Sequence, residues 1–221
     1  IGATHTREIE LAELVCDRFA SIDLVRFTNS GTEANLMAIG TALHHTGRSG
    51  VGVFDGAYHG GVLSFGGNDR LNVPHRFVMA PFDDLAGLDV QFEDEDLGCV
   101  IVEAVQGAGG CLPARDEFLT ELRRRCTETG ALLILDEVMT SRLAPGGAQE
   151  LYDVTPDLTT LGKYLGGGMS FGAFGGRADI MAAFDPESDG LLTQAGTFNN
   201  NVVSMAAAIS TLRHGLEPEQ L

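Results

Sequence analysis

The sequence predicts an α/β protein built on a mainly parallel central sheet with helices flanking it. Two observations predict it. Short apolar runs rich in β-branched residues alternate with stretches of helical periodicity, and the chain's 29 glycines concentrate in the loops after those runs. Open sheets of this kind place their ligands in loops at the strand ends. A length of 221 residues suits one large domain, whose core would bury roughly 70% of the unfolded surface.

Residues 6–20 set Ile9, Ala12, Val15, Cys16 and Phe19 on one helical face, with Glu8, Glu10 and Glu13 mostly elsewhere. Residues 25–28 form a short extended segment, and a second helix is expected from about Ser30 to His45. Residues 49–54 and 77–80 read as buried strands. The acidic run Glu93, Asp94, Glu95 and Asp96 marks exposed surface before a further strand at 99–102. A polar helix over 116–129 turns Phe118, Leu122 and Cys126 inward and leads to a strand at 131–135. A last apolar run, 158–162, stops at Lys163 and is followed by Gly166, Gly167 and Gly168.

Formal net charge is −17, from 31 acidic against 14 basic side chains. Such an average field repels nucleic acid and anionic membrane, while leaving room for a local anion site made of backbone amides. No apolar stretch approaches the ~20 residues of a membrane span. The first residues show no basic-then-apolar leader, so the expected location is the cytoplasm. Cys16, Cys99, Cys111 and Cys126 form no CxxC pair, and Cys16, Cys99 and Cys126 are expected as reduced core residues. Ile1 is not a methionine and the chain stops just after a helical pattern, so an internal piece of a longer protein is expected.

Five strand ends carry residues with chemistry. The segment Thr28-Asn29-Ser30-Gly31-Thr32-Glu33-Ala34-Asn35 joins a strand to a helix. It reads equally as a phosphate cradle of hydroxyls and free amides or as a capping box of Ser30 with Glu33. It is neither a P-loop nor a dinucleotide GxGxxG. Tyr58 offers a ring to stack on a flat heterocycle, and His59 beside it contacts that ring or shapes the loop. Glu103 ends a third strand and orients a neighbour, reaches an oxygen on a bound ring through an intervening group, or equally serves a structural hydrogen bond.

Asp136 closes the run at 131–135, and Lys163 lies 27 positions further on. A carboxylate held on a pyridine nitrogen keeps that nitrogen protonated and the ring electron-withdrawing. A lysine amine forms an imine with an aldehyde and, once displaced, shuttles a proton. Val138 is placed to cover one face of such a ring. Asp136-Glu137 would also suit magnesium in a nucleotide hydrolase, but the P-loop that chemistry requires is missing.

Taken together, these segments resemble class III aminotransferases of the fold-type I pyridoxal-phosphate superfamily. The resemblance rests on Asn29-Ser30-Gly31-Thr32-Glu33-Ala34-Asn35, Tyr58-His59-Gly60 and Leu135-Asp136-Glu137-Val138-Met139-Thr140. Leu161-Gly162-Lys163-Tyr164-Leu165-Gly166-Gly167-Gly168 and Gly196-Thr197-Phe198-Asn199-Asn200-Asn201 extend it over nearly the whole chain. Within the class, the chain is similar to the glutamate-1-semialdehyde aminomutases and more particularly to bacterial β-amino-acid transaminases. Tyr58-His59 is followed by Gly60-Gly61 where the aminomutases have Gly-His, and Thr140-Ser141-Arg142 stands where they have Thr-Gly-Phe-Arg.

The resemblance implies pyridoxal 5′-phosphate as cofactor and no metal. Lys163 would form the internal aldimine and Asp136 would pair with the pyridine nitrogen. Ser30, Gly31 and Thr32 would cradle the phosphate, Tyr58 and Val138 would sandwich the ring, and His59 and Glu103 would lie at the same site. Thr197 would reach the phosphate held by the other subunit of a homodimer, with cofactor sites at the interface. Residues 1–221 would be the cofactor-binding large domain without its N-terminal segment and C-terminal small domain. The implied reaction moves an amino group between an amino acid, of the α or β type, and a keto acid. An intramolecular aminomutase and a catalytically silent subunit of the same fold stay open at this point, as does Arg142, which reads either as a carboxylate contact or as half of a structural ion pair.

Overall fold

The computed structural model describes residues 4–67, 70–187 and 192–217; Ile1 and residues 218–221, the ends that suggested an internal piece, lie outside them. Helix α1 (Thr6–Arg18) leads into β1 (Leu24–Thr28) and α2 (Gly31–Thr46), followed by β2 (Gly50–Phe54), β3 (Arg76–Ala80), α3 (Leu85–Phe92) and β4 (Leu97–Val102). A small hairpin of β5 (Val105–Gln106) and β6 (Leu112–Pro113) precedes α4 (Asp116–Thr129) and β7 (Leu132–Asp136). After α5 (Ala148–Leu151) come β8 (Leu158–Gly162), a 3₁₀ turn over Lys163–Gly166, β9 (Gly172–Gly176), α6 (Ala178–Met181) and α7 (Val202–His214).

Seven strands form one sheet in the order β1-β9-β8-β7-β4-β2-β3. The pairs β2–β3, β2–β4, β4–β7 and β7–β8 are parallel. Only β9 runs against its neighbours, β8 and β1. The expected mainly parallel sheet is therefore the one observed. Strands β2, β4, β7 and β8 are buried along their whole length, which requires cover on both faces and explains their unbroken apolar runs. Helix α2 lies across β9, β8, β7 and β4, while α4 packs on β7 and on α3. No helix among the described residues is long and apolar enough to cross a membrane.

Local chemistry sets the helix ends. Ser30 accepts from the Glu33 amide to open α2, and Gly47 (φ 66°) closes it. Helix α4 has Asp116 and Glu117 in its first turn, where acidic side chains suit the helix dipole, and ends at Gly130 (φ 74°). The inward face of α4 is the expected one: Phe118, Leu122 and Cys126 are buried.

Two expectations need correction. The buried stripe of α1 is Leu11 and Val15, continued by Phe19, whereas Ile9 is exposed and Ala12 and Cys16 are half-buried. Helix α7 and strand β1 both pack on α1 and rotate its core face away from Ile9. Cys16 is thus not a core thiol like the buried Cys99 and Cys126. Strand β3 is not fully buried either, because it is the last strand of the sheet and leaves Met79 exposed.

Among the elements that the sequence reading passed over are α3 and β9. Helix α3 is eight residues with a glycine inside, too short to show a period. Strand β9 reads Gly-Ala-Phe-Gly-Gly, a composition that disfavours strands in general. Packing explains its glycines: a Cβ on Gly172 would collide with the Ser30 carbonyl and the Thr28 hydroxyl. Only a residue without a side chain lets β9 lie under the turn that starts α2.

The main core gathers Phe54, Phe82 and Phe118, with Phe118 edge-on to Phe54 at 5.4 Å and to Phe82 at 5.7 Å between ring centroids. Phe118 is fully buried. Phe118→Ala is expected to lower unfolding free energy by about 3–5 kcal/mol, read from the denaturant midpoint. A loss under about 1 kcal/mol would mean that this cluster is not part of the cooperative core.

Candidate active site

Because β2, β4, β7 and β8 run parallel, their carboxyl ends open on one edge of the sheet. That edge delivers Tyr58 and His59 after β2, Glu103 after β4, Asp136 at the end of β7 and Lys163 directly after β8. The start of α2 brings Gly31 and Thr32 to the same place. These residues line a cavity of about 230 Å³ together with Val138. Eight of the ten expected site residues therefore meet in one hollow.

Asp136 is almost fully buried and held from three directions. Asn35 Nδ2 donates to its Oδ2 at 2.8 Å, His59 Nδ1 lies 2.8 Å from the same oxygen, and the Val138 amide donates to Oδ1 at 3.0 Å. Asn35 is itself fixed, donating to the His59 carbonyl at 2.9 Å and accepting from the Thr160 hydroxyl at 2.6 Å. With Asp136 ionised, His59 Nδ1 carries the proton. His59 Nε2 is a buried ring nitrogen with no hydrogen-bond partner among the described residues.

Asn35 was part of the quoted motif but was not assigned to the site. The available signal was a lone amide between Ala34 and Ala38 on the buried face of α2, where an unpaired polar group would be costly.

Glu103 acts on the backbone. Its Oε2 accepts from the Tyr58 amide at 3.0 Å and its Oε1 from the Gly107 amide at 3.2 Å, which fixes the loop carrying Tyr58. Burial pushes its carboxyl above the ordinary glutamate range and Asp136 adds to that, while His59 and the two amides pull it back.

Tyr58 is half exposed, with its ring at the cavity wall. Val138 packs on the start of α2, so closely that a Cβ on Gly31 would lie 2.7 Å from Val138 Cγ2. Ser30 Oγ accepts from the Glu33 amide at 3.2 Å, and Glu33 accepts from the Asn29 amide at 2.9 Å. The capping reading of this motif is therefore realised, with the Glu33 contact one residue upstream of the usual position. The first-turn amides of Gly31 and Thr32 have no intrahelical carbonyl and remain suited to an anion.

Lys163 is the only lysine in the chain; the other 13 of the 14 cationic side chains are arginine. This uniqueness is a sequence signal in its own right, since only one side-chain amine is available to any aldehyde. Lys163 is exposed and its backbone is left-handed at φ 50°, a conformation that costs a residue with a Cβ about 1–2 kcal/mol. Thr197 lies exposed on a turn and does not line this cavity. A larger groove of about 840 Å³ runs along α1 and β1, past Glu8, Ile9, Asp17 and Arg26. It offers no amine, so the smaller hollow is the candidate site.

Residues 1–221 match the family model described as aminotransferase class-III. The chain is 54% identical over 215 residues to a β-phenylalanine transaminase of Variovorax paradoxus, covering 96% of this chain and 49% of that protein. A solved β-phenylalanine aminotransferase structure from the same organism superposes with a TM-score of 0.96 at 52% identity, over 100% of this chain and 52% of the other. A transaminase solved with PLP bound matches at TM-score 0.89 and 36% identity, over 99% and 55%. A glutamate-1-semialdehyde 2,1-aminomutase of Francisella philomiragia is 44% identical over 229 residues, 96% of this chain and 52% of that protein. The chain spans about half the length of these relatives.

Two outcomes follow from the site's hydrogen bonds. Asn35→Ala strips a donor from Asp136 and leaves the His59 carbonyl and the Thr160 hydroxyl without their partner. It is expected to cost about 2–3 kcal/mol in denaturant unfolding. A neutral result would show that water replaces the amide.

For Glu103, the folded state binds the proton more tightly than the unfolded chain. Its stabilising contribution is complete below the unfolded carboxyl pKa and is lost as pH rises through the folded value. Glu103→Gln should therefore gain stability relative to the parent as pH rises above the ordinary glutamate value. Parallel stability curves for the two proteins would contradict the raised value.

Proposed function

The chain belongs to the class III aminotransferases, and on that footing we propose that it is the cofactor-binding domain of a pyridoxal-phosphate-dependent transaminase acting on β-amino acids. One observation carries the reading: the chain's single lysine opens into the same cavity as a buried, triply held aspartate. The similarity to the Variovorax enzyme supports the β-amino-acid class of donor, with a keto acid as acceptor. The half-length match supports a longer enzyme in which further chain completes substrate recognition.

The donor set fits pyridoxal phosphate. An amine meets an aldehyde, a buried carboxylate meets a ring nitrogen, and a helix start with free amides meets a phosphate. When bound, that cofactor supplies an aldehyde for amines and a ring that withdraws electrons from the carbon bearing the substrate nitrogen.

The chain's own residues do the rest. Lys163 would hold the aldehyde carbon until a substrate amine replaces it. Its freed Nζ would then take the proton from the substrate carbon and return it on the other side of the exchange. Asp136, kept in place by Asn35, His59 and the Val138 amide, would keep the ring nitrogen protonated. Ser30, Gly31 and Thr32 would hold the phosphate, and Tyr58 and Val138 would bracket the ring. Glu103 would fix the Tyr58 loop from behind. Thr197 would serve the phosphate site of the second subunit in a homodimer, consistent with its exposure here. The four free thiols suit the cytoplasm, where the enzyme is placed by the same proposal.

The test uses the complete enzyme with added pyridoxal phosphate. Borohydride is expected to trap one cofactor covalently, and peptide mass spectrometry should find it on Lys163. Lys163→Ala should lose the visible band and lower turnover by about 10³-fold or more, while Asp136→Asn retains cofactor but slows proton removal. Adding β-phenylalanine should bleach the band and release a keto product. Bleaching by glutamate-1-semialdehyde alone would point to the aminomutase, and a visible band that survives Lys163→Ala would sink the assignment.

A further inference from the structure

The loop after β2 does more than carry Tyr58. It folds back on itself: the His59 amide donates to the Leu63 carbonyl at 2.8 Å, and the Leu63 amide donates to the Gly60 carbonyl at 2.9 Å. Leu63 is fully buried, which pins the turn to the core. Asn35 ties the same turn to α2 through the His59 carbonyl at 2.9 Å.

Gly60 sits where this turn meets the first residues of α2. It is buried and lines the cavity together with Thr32. Its backbone lies at φ 128°, a region that a residue with a Cβ rarely adopts. A Cβ built there would stand 2.2 Å from Thr32 Oγ1 and 2.6 Å from both Thr32 Cβ and Cγ2. Rotating Thr32 about χ1 does not relieve this collision, because its own Cβ takes part in it. The start of α2 has little room to retreat, since Val138 packs against Gly31 and the Ser30 carbonyl rests on Gly172. Gly61 is under no such demand: it is exposed, and a Cβ on it meets nothing within 4 Å.

We propose that Gly60 is a positioning residue for the anion end of the cavity. Its bare backbone is the seat on which the Thr32 side chain rests, and that seat fixes the Thr32 hydroxyl and the first-turn amides where a phosphate is to be held. This rests on the reading of the α2 start as the phosphate cradle. Gly60 acts through Thr32 and sets the spacing between that cradle and the wall that carries Tyr58.

The test compares two ligands that differ only in the phosphate. In the complete apoenzyme, pyridoxal phosphate and pyridoxal are each titrated against the visible band, and inorganic phosphate is titrated as a competitor of the first. Gly60→Ala is expected to weaken pyridoxal phosphate and inorganic phosphate by about tenfold, the share of one hydrogen bond to a charged group. Pyridoxal itself should bind as it does to the parent. Gly61→Ala should leave all three affinities in place. Thr32→Gly removes the three atoms that a methyl at position 60 would meet. In that background Gly60→Ala should add no further loss specific to phosphate, and this pair serves equally if Gly60→Ala alone does not fold.

Equal losses for pyridoxal and pyridoxal phosphate would overturn the proposal, because Gly60 would then support the fold in general. So would parent-like phosphate affinity in Gly60→Ala, or a tenfold phosphate-specific loss that persists in the Thr32→Gly background. A parent that binds pyridoxal phosphate no more tightly than pyridoxal would instead overturn the cradle reading, and the role of Gly60 with it.

Discussion

The buried carboxylate of Asp136 is the constraint around which the rest of the site is organised. A charge taken out of water must be met by donors that do not move, and three meet it here: an amide side chain from α2, an imidazole from the loop after β2, and the backbone of Val138. Each donor fixes its own element relative to β7. Asn35 draws α2 toward the strand ends, and through its contact with the His59 carbonyl it also fixes the loop that carries Tyr58. Satisfying one carboxylate thereby shapes the cavity wall on three sides.

The sheet makes that convergence possible. Parallel strands present all their carboxyl ends on one edge, so residues as far apart in sequence as Tyr58 and Lys163 face one hollow. The one antiparallel strand, β9, has a different task. Its Gly172 lets it pass under the Thr28–Ser30 turn without a side chain in the way, which brings the start of α2 down beside β8. The anion-binding end of the site and the lysine end are thus set by the same close approach.

Two adjacent acids illustrate how position decides role. Asp136 faces the cavity, whereas Glu137 turns away into a ring of donors that closes the loop before α5. Burial raises the Glu137 carboxyl and four hydrogen bonds oppose that rise. Glu137 is an anchor for the segment between β7 and α5, and Asp136 is the group offered to a ligand. The magnesium reading of an Asp-Glu pair needs both carboxylates on one side, and here they point apart.

Much of the protein was legible in the sequence. Apolar runs of four to six residues between helical segments dictated a parallel sheet, because only strands covered on both faces tolerate them. The placement of Asp136, Tyr58, Glu103 and Lys163 at the ends of such runs put them on one edge before any coordinates. What the sequence left undecided depends on contacts between distant segments. The face of α1 was misjudged because α7, nearly 200 residues later, determines which side is covered. Strand β9 was invisible because its glycines answer to neighbouring backbones and not to strand propensity. Asn35, with its bonds to Asp136, His59 and Thr160, and the close approach of Gly60 to Thr32 likewise emerged only in three dimensions. A hydrogen bond has a direction and a reach of about 3 Å, and no reading along the chain measures either.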